Sequence, residues 1–408
     1  MNKRLLPAYL LTFVNVLGMS ILMPVLPFVV ESYDAPKWIY GLLLTLYSVF
    51  QFFGAPYLGR LSDSNGRKPI LLISQAGTLL SWFIFLLALY LPETPFLGFA
   101  LPLWIIGLSR ILDGITGGNT SVANAYVSDI TTREEKSYIF GYLGGIGGLG
   151  LIIGPGLGGF SASSSWGYVG TIITAIGISS LTLLTIFWLL KESLPKENRR
   201  AVQKQSIWLS FRILKRIRIT QPSHFIKVLF VLKFFFSTTM AFYISTIPLF
   251  MIDLFAFDEG QLGTFMLAVG GFMIFNQAVM SKQFIKRLGE YNTLLLGLAL
   301  VVMGLVCITL TNNLWIYLAF YYVMNLGLSL CFPTFNALIS IHANPQKQGE
   351  IMGISESINS LAMALFPVIG ATMYSIFSFN LYYFVSALPF IALIIAFSQK
   401  KRIAASEA

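Results

Sequence analysis

Charge is what this chain has least of. Only 11% of its 408 residues are Asp, Glu, Lys or Arg, against roughly 25% in an ordinary soluble protein. So few charges cannot coat a soluble molecule of this size, and most of the outer surface must face lipid. Soluble enzymes, nucleic-acid binders and disordered scaffolds are excluded on that ground. Cysteine and histidine are scarce too, at two each. Cys307 and Cys331 lie in apolar segments, which indicates neither a disulfide framework nor a metal site. His224 and His342 fall in polar loops, where a solvated surface role is expected. No G-x-x-x-x-G-K-[ST], H-E-x-x-H or G-x-S-x-G sequence occurs, so ATP is not an evident energy source and a membrane-embedded enzyme is disfavoured. No cofactor is implied.

Apolar residues are abundant, at 56% of the chain, with 35 Phe. They gather into twelve runs near 6–30, 38–59, 69–91, 101–128, 137–160, 166–190, 225–251, 260–281, 291–311, 314–340, 349–377 and 379–398. Twelve crossings of about 20 residues need about 240 residues, which the length supplies with room for short loops. The fold class read from this is an all-α membrane protein, twelve transmembrane helices in two six-helix halves. Pro92, Pro95 and Pro102 interrupt the pattern around 92–100. The first run follows Lys3 and Arg4 as a signal peptide would. It continues for about 25 apolar residues without an A-x-A-like cleavage site, and so reads as a retained helix.

The 27 Lys and Arg outnumber the 17 Asp and Glu, for a net charge of +10. In a membrane protein the first explanation is orientation, because basic loops stay cytoplasmic. With the N-terminus inside, the inner loops and tails hold 23 of the 27 basic residues, the four exceptions being Lys37, Arg110, Lys227 and Lys233. Both termini are therefore expected in the cytoplasm. The stretch 191–224 carries nine basic residues and divides an N-terminal half, 1–190, from a C-terminal half, 225–408. Within it Ile207, Phe211, Leu214 and Arg218 recur at helical spacing beside Trp208. Two readings stand, an interfacial helix on anionic headgroups and a solvated basic linker.

The halves are related. A shift of 212 places Asn124 on Asn336, Ser128 on Ser340, Gly141 on Gly353, Pro155 on Pro367 and Gly158 on Gly370. Shifts of 224 and 223 place Pro24 on Pro248 and Gly66 on Gly289. Parallel repeats of this kind characterise transporters whose repeats rock about a midplane site.

After the second run the chain reads Gly59-Arg60-Leu61-Ser62-Asp63-Ser64-Asn65-Gly66-Arg67-Lys68-Pro69, expected as a tight turn. Gly66 tolerates positive φ, Pro69 suits a first helical turn, and Gly59 permits close helix approach. The mixed charges suit a cytoplasmic gate. This loop closely resembles the signature loop of the major facilitator superfamily. Leu17-Gly18 with Pro24-Val25-Leu26-Pro27, Arg110-Ile111-Leu112-Asp113-Gly114, and Gly141, Gly150, Gly154-Pro155-Gly156-Leu157-Gly158-Gly159 resemble further motifs of its drug:proton antiporter branch. The stretch from LTFVNVLGMSILMPVLP to YVSDIT is particularly similar to bacterial tetracycline-efflux proteins. The likeness covers the whole chain and is strongest in the first half. In the second half the signature loop survives only as Phe284, Lys286, Gly289 and Glu290. Asp129, ending Tyr126-Val127-Ser128-Asp129, matches the family's acidic residue there. Arg67 is expected to pair with Asp129 in the outward-open state, with Asp63 facing the positive N-terminus of the eleventh span, and the resemblance associates the Gly-rich fifth span with antiport. Generic helix packing is the alternative for those glycines.

Ionisable residues within spans are few and informative. Arg110 and Asp113 lie three apart on one helical face. Asp113 is roughly 18 Å along its span at 1.5 Å per residue, near the midplane. It can exchange a proton as solvent access alternates, or be a static neutralised pair with Arg110. Glu356 is either a second proton site or a structural pore-lining group. Lys233 either snorkels inward or meets substrate. Tetracycline-efflux proteins carry an acid in the first span where this chain has Asn15. Asparagine holds no proton, so coupling must rest elsewhere, and tetracycline itself is disfavoured. Asn15, Met19, Met240, Tyr243, Tyr322 and Asn325 are candidate cavity contacts, with ordinary packing as the alternative reading of each.

The function expected is a monomeric, proton-coupled exporter of amphipathic organic compounds in a bacterial inner membrane, with protons, a small molecule and lipid as partners and no nucleic acid. The alternatives are a carrier for a polar or anionic metabolite or siderophore, and a non-transporting sensor of the same fold. The orientation is open to test with Glu93→Cys and Asn198→Cys in a background lacking Cys307 and Cys331. A membrane-impermeant maleimide applied to intact cells should label position 93 and leave position 198 unlabelled. Labelling of position 198 from outside would overturn the topology.

Overall fold

In the computed structural model, residues 5–132, 135–199, 213–344 and 347–407 are described. They are almost wholly helical. In chain order come α1 (Leu6–Ser20), α2 (Leu26–Glu31), α3 (Lys37–Asn65), α4 (Arg67–Leu89), α5 (Leu101–Gly117), α6 (Thr120–Asp129), α7 (Lys136–Ala162) and α8 (Gly167–Leu189). Then follow α9 (Ile213–Thr220), α10 (His224–Phe255), α11 (Glu259–Phe275), a π-helical turn (Asn276–Met280), α12 (Ser281–Cys307), α13 (Leu314–His342), α14 (Gln348–Phe377) and α15 (Leu381–Glu407). Among the described residues, eight helical stretches are long and apolar enough to cross a membrane by length and composition. Pro95–Phe96 and Phe99–Ala100 pair as a minimal antiparallel hairpin. Its turn residues Leu97 and Gly98 both have positive φ, as a twisted two-residue hairpin turn requires.

Several expected elements are corrected. The first run is not one helix, because α1 stops at Ser20 and α2 starts at Leu26. Pro24 would clash with the carbonyl four residues back, that of Ser20, and short bonds from Met23 to Ser20 and from Val25 to Leu22 take over. The fourth run breaks at Gly118–Asn119, between α5 and α6. The signature stretch is helical through Asn65, with Ser62 and Ser64 hydroxyls bonded back to the Gly59 and Leu61 carbonyls. Only Gly66 leaves the helix, at φ 102° and ψ 157°. Gly289 interrupts α12 in nearly the same conformation, φ 76° and ψ 167°. Of the linker helix, Ile207, Trp208 and Phe211 lie outside the described residues. Its described end, α9, is held against α14 by Arg216 Nη1 donating to Ser357 Oγ at 3.1 Å and by Thr220 donating to Glu350.

Contacts divide the chain into two compact units, Met1–Leu209 with Phe257–Ala268, and Ser210–Ala256 with Val269–Ala408. In the first unit, helices meet backbone to backbone. A Cβ on Gly150, Gly154 or Gly158 of α7 would fall on the Phe13 carbonyl, the Ser20 hydroxyl or the Ile21 carbonyl of the first run. These glycines recur every four residues and form one smooth stripe. Gly54 of α3 meets the Ile115 carbonyl, and Gly114 of α5 meets that of Tyr47. The second unit repeats the device where Gly297 and Gly304 of α12 meet α13 at Gly327 and Met324. Its core is aromatic, with Phe250 packed among Tyr317, Phe379 and Tyr382. Outward-facing side chains are apolar, among them Leu181, Phe187 and Trp188 on α8 and Phe390, Ile394 and Phe397 on α15. Such faces require lipid.

The α1–α7 seam supplies a test. Overpacking costs about 1–3 kcal/mol or more, so Gly158→Leu should lower the thermal midpoint in detergent by several degrees. Gly144→Ala, with nothing within 4 Å of the added carbon, should melt with the wild type. Equal melting of both variants would dismiss the backbone contact as the seam's basis.

Candidate functional site

Gly66 turns the chain so that Arg67 begins α4 pointing back at α3. The Arg67 side chain is buried. Its Nη1 donates to Asp63 Oδ1 at 2.6 Å and to Ser62 Oγ at 2.7 Å, and its Nε donates to Asp129 Oδ2 at 2.9 Å. Arg67 thus ties together the end of α3, the start of α4 and the end of α6, and Asp63 is engaged by Arg67. Lys68 instead reaches the Phe187 carbonyl at 2.8 Å. Gly59 is not needed for a close helix approach, because a Cβ there would make only ordinary contact, 3.5 Å from the Ser121 hydroxyl.

Two partners in this cluster were not found by reading the sequence. Glu192, just past α8, accepts the backbone N–H groups of Arg67 at 2.9 Å and Lys68 at 3.2 Å. It therefore caps the otherwise unsatisfied and positive N-terminus of α4. Ser193 donates to Asp129 at 3.0 Å. Nothing in a basic linker distinguishes one Glu as a cap. A Cβ on Gly66 would strike the Glu192 carboxylate, which gives that glycine a second reason besides its φ.

Arg110 and Asp113 form an ion pair of 3.1 Å on α5, with residue exposures of 3% and 4%. The guanidinium lies over the Trp82 ring at 4.9 Å and the Phe85 ring at 5.4 Å. Thr78 and Ser81 stand beside the carboxylate. The pair is thus in the seam between α4 and α5, enclosed by aromatic and hydroxyl groups. Tyr47 of α3, whose hydroxyl accepts from Gln51 at 2.9 Å, is within electrostatic reach of both charges.

Asn15 donates to Asn119 Oδ1 at 2.6 Å. Asn119 is buried at the break between α5 and α6, a polar residue following Gly117-Gly118 inside an apolar run, and that signal was available in the sequence. Met19 is exposed, whereas Met240 is a core side chain. In the second unit, Tyr322 donates to Asn276 Oδ1 at 3.0 Å, and Asn276 Nδ2 donates to Asn325 at 3.3 Å. Asn276 opens the π turn, a distortion that recurs at functional sites. Asn325 is fully buried behind it. The Tyr243 and Tyr321 hydroxyls bond to one another. Glu356 is exposed on α14 and accepts from Asn359 at 3.1 Å. Lys233 does not snorkel to an end of α10. It is buried, and donates to Asn336 Oδ1 at 3.2 Å. The smooth stripe of Gly150, Gly154 and Gly158 lies on α1, while Gly159 abuts Gly263 of α11 and Pro155 lies within the helix. Gly141 lies one turn inside α7.

This chain resembles known proteins over most of its length. The model of the Major Facilitator Superfamily matches residues 8–367. The class D tetracycline resistance protein of Salmonella ordonez is 32% identical over 385 residues, covering 92% of this chain and 90% of that protein. Multidrug resistance protein 2 of Bacillus subtilis (strain 168) is 27% identical over 373 residues, covering 91% and 88%. A solved bacterial homologue of the human lysosomal transporter Spinster shares the fold, with a TM-score of 0.76 at 12% identity over 98% of both chains. With its series of long apolar helices, the chain is a multi-pass membrane transport protein that belongs to the Major Facilitator Superfamily.

Proposed function

We propose that the protein is a proton-coupled secondary transporter that exports amphipathic organic compounds by alternating access. In this reading α1 with α2, α3, α4, α5 with α6, α7 and α8 are six crossings, and α10 to α15 are six more. They make two six-helix halves, 1–190 and 225–408, joined by the linker 191–224. Both termini are cytoplasmic, the membrane is a bacterial inner membrane, and the protein acts as a monomer. The names of the relatives, tetracycline and multidrug resistance proteins, support drug-like cargo. Asn15, hydrogen-bonded to Asn119, argues against tetracycline itself.

The observation that carries the coupling is Asp113, the one carboxylate buried among the described residues. An ionised carboxylate out of water is held by its charge partner and hydrogen bonds. A conformational change that moves Arg110, Thr78 or Ser81 away from it, or admits water, loads or releases a proton. Arg110 sets when this happens, and Glu356 is the rival carrier. Asn15, Met19, Tyr243 and Tyr322 are the contacts proposed for cargo, with Met240 and Asn325 supporting them from the core. Gly59, Asp63, Gly66, Arg67, Lys68 and Asp129 form the cytoplasmic gate. Gly141, Gly150, Gly154, Pro155, Gly158 and Gly159 provide the close-packed, bendable helix that antiport requires.

Flux in proteoliposomes with an internal pH dye tests the coupling. Asp113→Asn should lower pH-driven accumulation at least about ten-fold while leaving downhill exchange within about two-fold. Arg110→Ala should shift the pH dependence instead, and Glu356→Gln should leave accumulation intact. Normal pH-driven accumulation by Asp113→Asn would move the assignment to Glu356. Proton release from the lumen on adding cargo marks antiport, whereas ligand binding without flux would make the protein a sensor.

The gate is tested separately. Arg67 bonds to partly solvated carboxylates, so its net contribution is about 1 kcal/mol. That suffices to shift two balanced conformations about five-fold. Arg67→Ala should change the inward-to-outward ratio, read by spin-label distances, by that factor. An unchanged ratio with unchanged transport would remove Arg67 from the gate.

A further inference from the structure

Three cationic side chains are buried among the described residues, those of Arg67, Arg110 and Lys233. The first two have carboxylates. Lys233 has none. Its one hydrogen bond goes to the neutral Asn336 Oδ1 at 3.2 Å, although the residue is only 8% exposed. An ammonium has three N–H donors, so two are left without a protein acceptor among the described residues. Asn336 is exposed, and its amide N–H groups have no protein partner among the described residues. Burying a cation in this way is unfavourable unless a counter-charge arrives. Glu356 of α14 is near enough to act electrostatically on Lys233, yet it is exposed, accepts from Asn359, and makes no ion pair with the lysine.

The three residues share a depth. Lys233 is nine residues from the start of α10, Asn336 six from the end of α13, and Glu356 eight from the start of α14. These are axial distances of about 9 to 14 Å at 1.5 Å per residue. Aromatic surface adjoins them. Phe236, three residues after Lys233, meets Phe332 edge-on with ring centroids 5.3 Å apart. Phe332 is partly exposed and lies four residues before Asn336, one turn away on the same face.

We infer that Lys233 and Asn336 form an acid-binding subsite for the transported compound, and that the cargo class is an amphipathic organic monoanion. Its carboxylate or sulfonate takes the free N–H groups of Lys233 and Asn336, and its apolar body lies along Phe332. Glu356 repels a second negative charge, which selects monoanions over dianions. This rests on the transporter reading and narrows it.

The test measures binding to the full-length protein in detergent, by equilibrium dialysis, of naphthoate, neutral naphthamide and naphthalene dicarboxylate. The wild type should bind naphthoate about ten-fold more tightly than either of the others. Lys233→Met should reduce the preference over naphthamide below about two-fold while leaving naphthamide binding unchanged. Asn336→Asp, which places a carboxylate on the lysine, should do the same, and Lys233→Arg should keep the preference. If Lys233→Met loses naphthamide binding as well, the other two variants decide. A wild type without charge preference overturns the subsite, as does a preference that survives Lys233→Met or Asn336→Asp. Flux of the same compounds in proteoliposomes separates the two proposals. Flux without charge preference removes the subsite and leaves the transporter, whereas charge preference without flux of any compound leaves the subsite and removes the transporter.

Discussion

Lipid tails are as apolar as leucine, so helices within a bilayer gain little by hiding apolar side chains from their surroundings. What holds them is closeness, because dispersion falls off over a fraction of an ångström. In this chain closeness comes from missing side chains. The stripe on α7 brings it onto α1, Gly54 and Gly114 join α3 to α5, and Gly297, Gly304 and Gly327 join α12 to α13. Everything else is arranged on those seams. The breaks after Ser20 and Gly117 occur beside them, and the polar residues that follow, Asn119 above all, are buried because the neighbouring backbone is already there.

Charges follow a second constraint. A buried ion must find its partner inside the protein or wait for one from outside. Arg110 is held twice, by a carboxylate three residues on and by the faces of Trp82 and Phe85, although its buried Nε makes no hydrogen bond among the described residues. Arg67 holds two carboxylates at once, of which Asp63 is close in sequence and Asp129 is distant. The local pair keeps the arginine oriented whether or not the distant one is engaged. Lys233 is the exception, because among the described residues it makes no ion pair, and the carboxylate that acts on it from nearby, Glu356, is exposed and bonded to Asn359.

Much of this was legible in the sequence for physical reasons. Low charge and long apolar runs indicate a bilayer protein whatever its topology. Gly66 was readable because a positive φ beside a charged turn has few alternatives, and Arg110 with Asp113 because charges within a span are conspicuous. What escaped depended on distance or on continuity. Helix at Gly59–Asn65 was hidden because glycine, serine and asparagine read as turn residues, although serine hydroxyls can bond back to the helix and let it run on. The break after Ser20 was written in Pro24 but overridden by an apolar run long enough to span. Glu192, Asn276 and Asn336 act through partners that are remote in sequence, and no local pattern marks such residues. Hydrophobic spacing in the linker indicates a helix with an apolar face, but not the polar bonds from Arg216 and Thr220 that hold α9 to α14.

Glu192 has one more consequence. Hydropathy ends the first half at Leu190, but the cap on α4 is supplied by the residues that come after. The border between module and connector therefore falls later than the last apolar residue. A pair of separately expressed halves cut at 190 would strip α4 of its counter-charge and Asp129 of the Ser193 hydroxyl. The same pair cut after Arg199 would keep both with the helices they serve. The first stretch of the connector is thus the closing clasp of the helices before it.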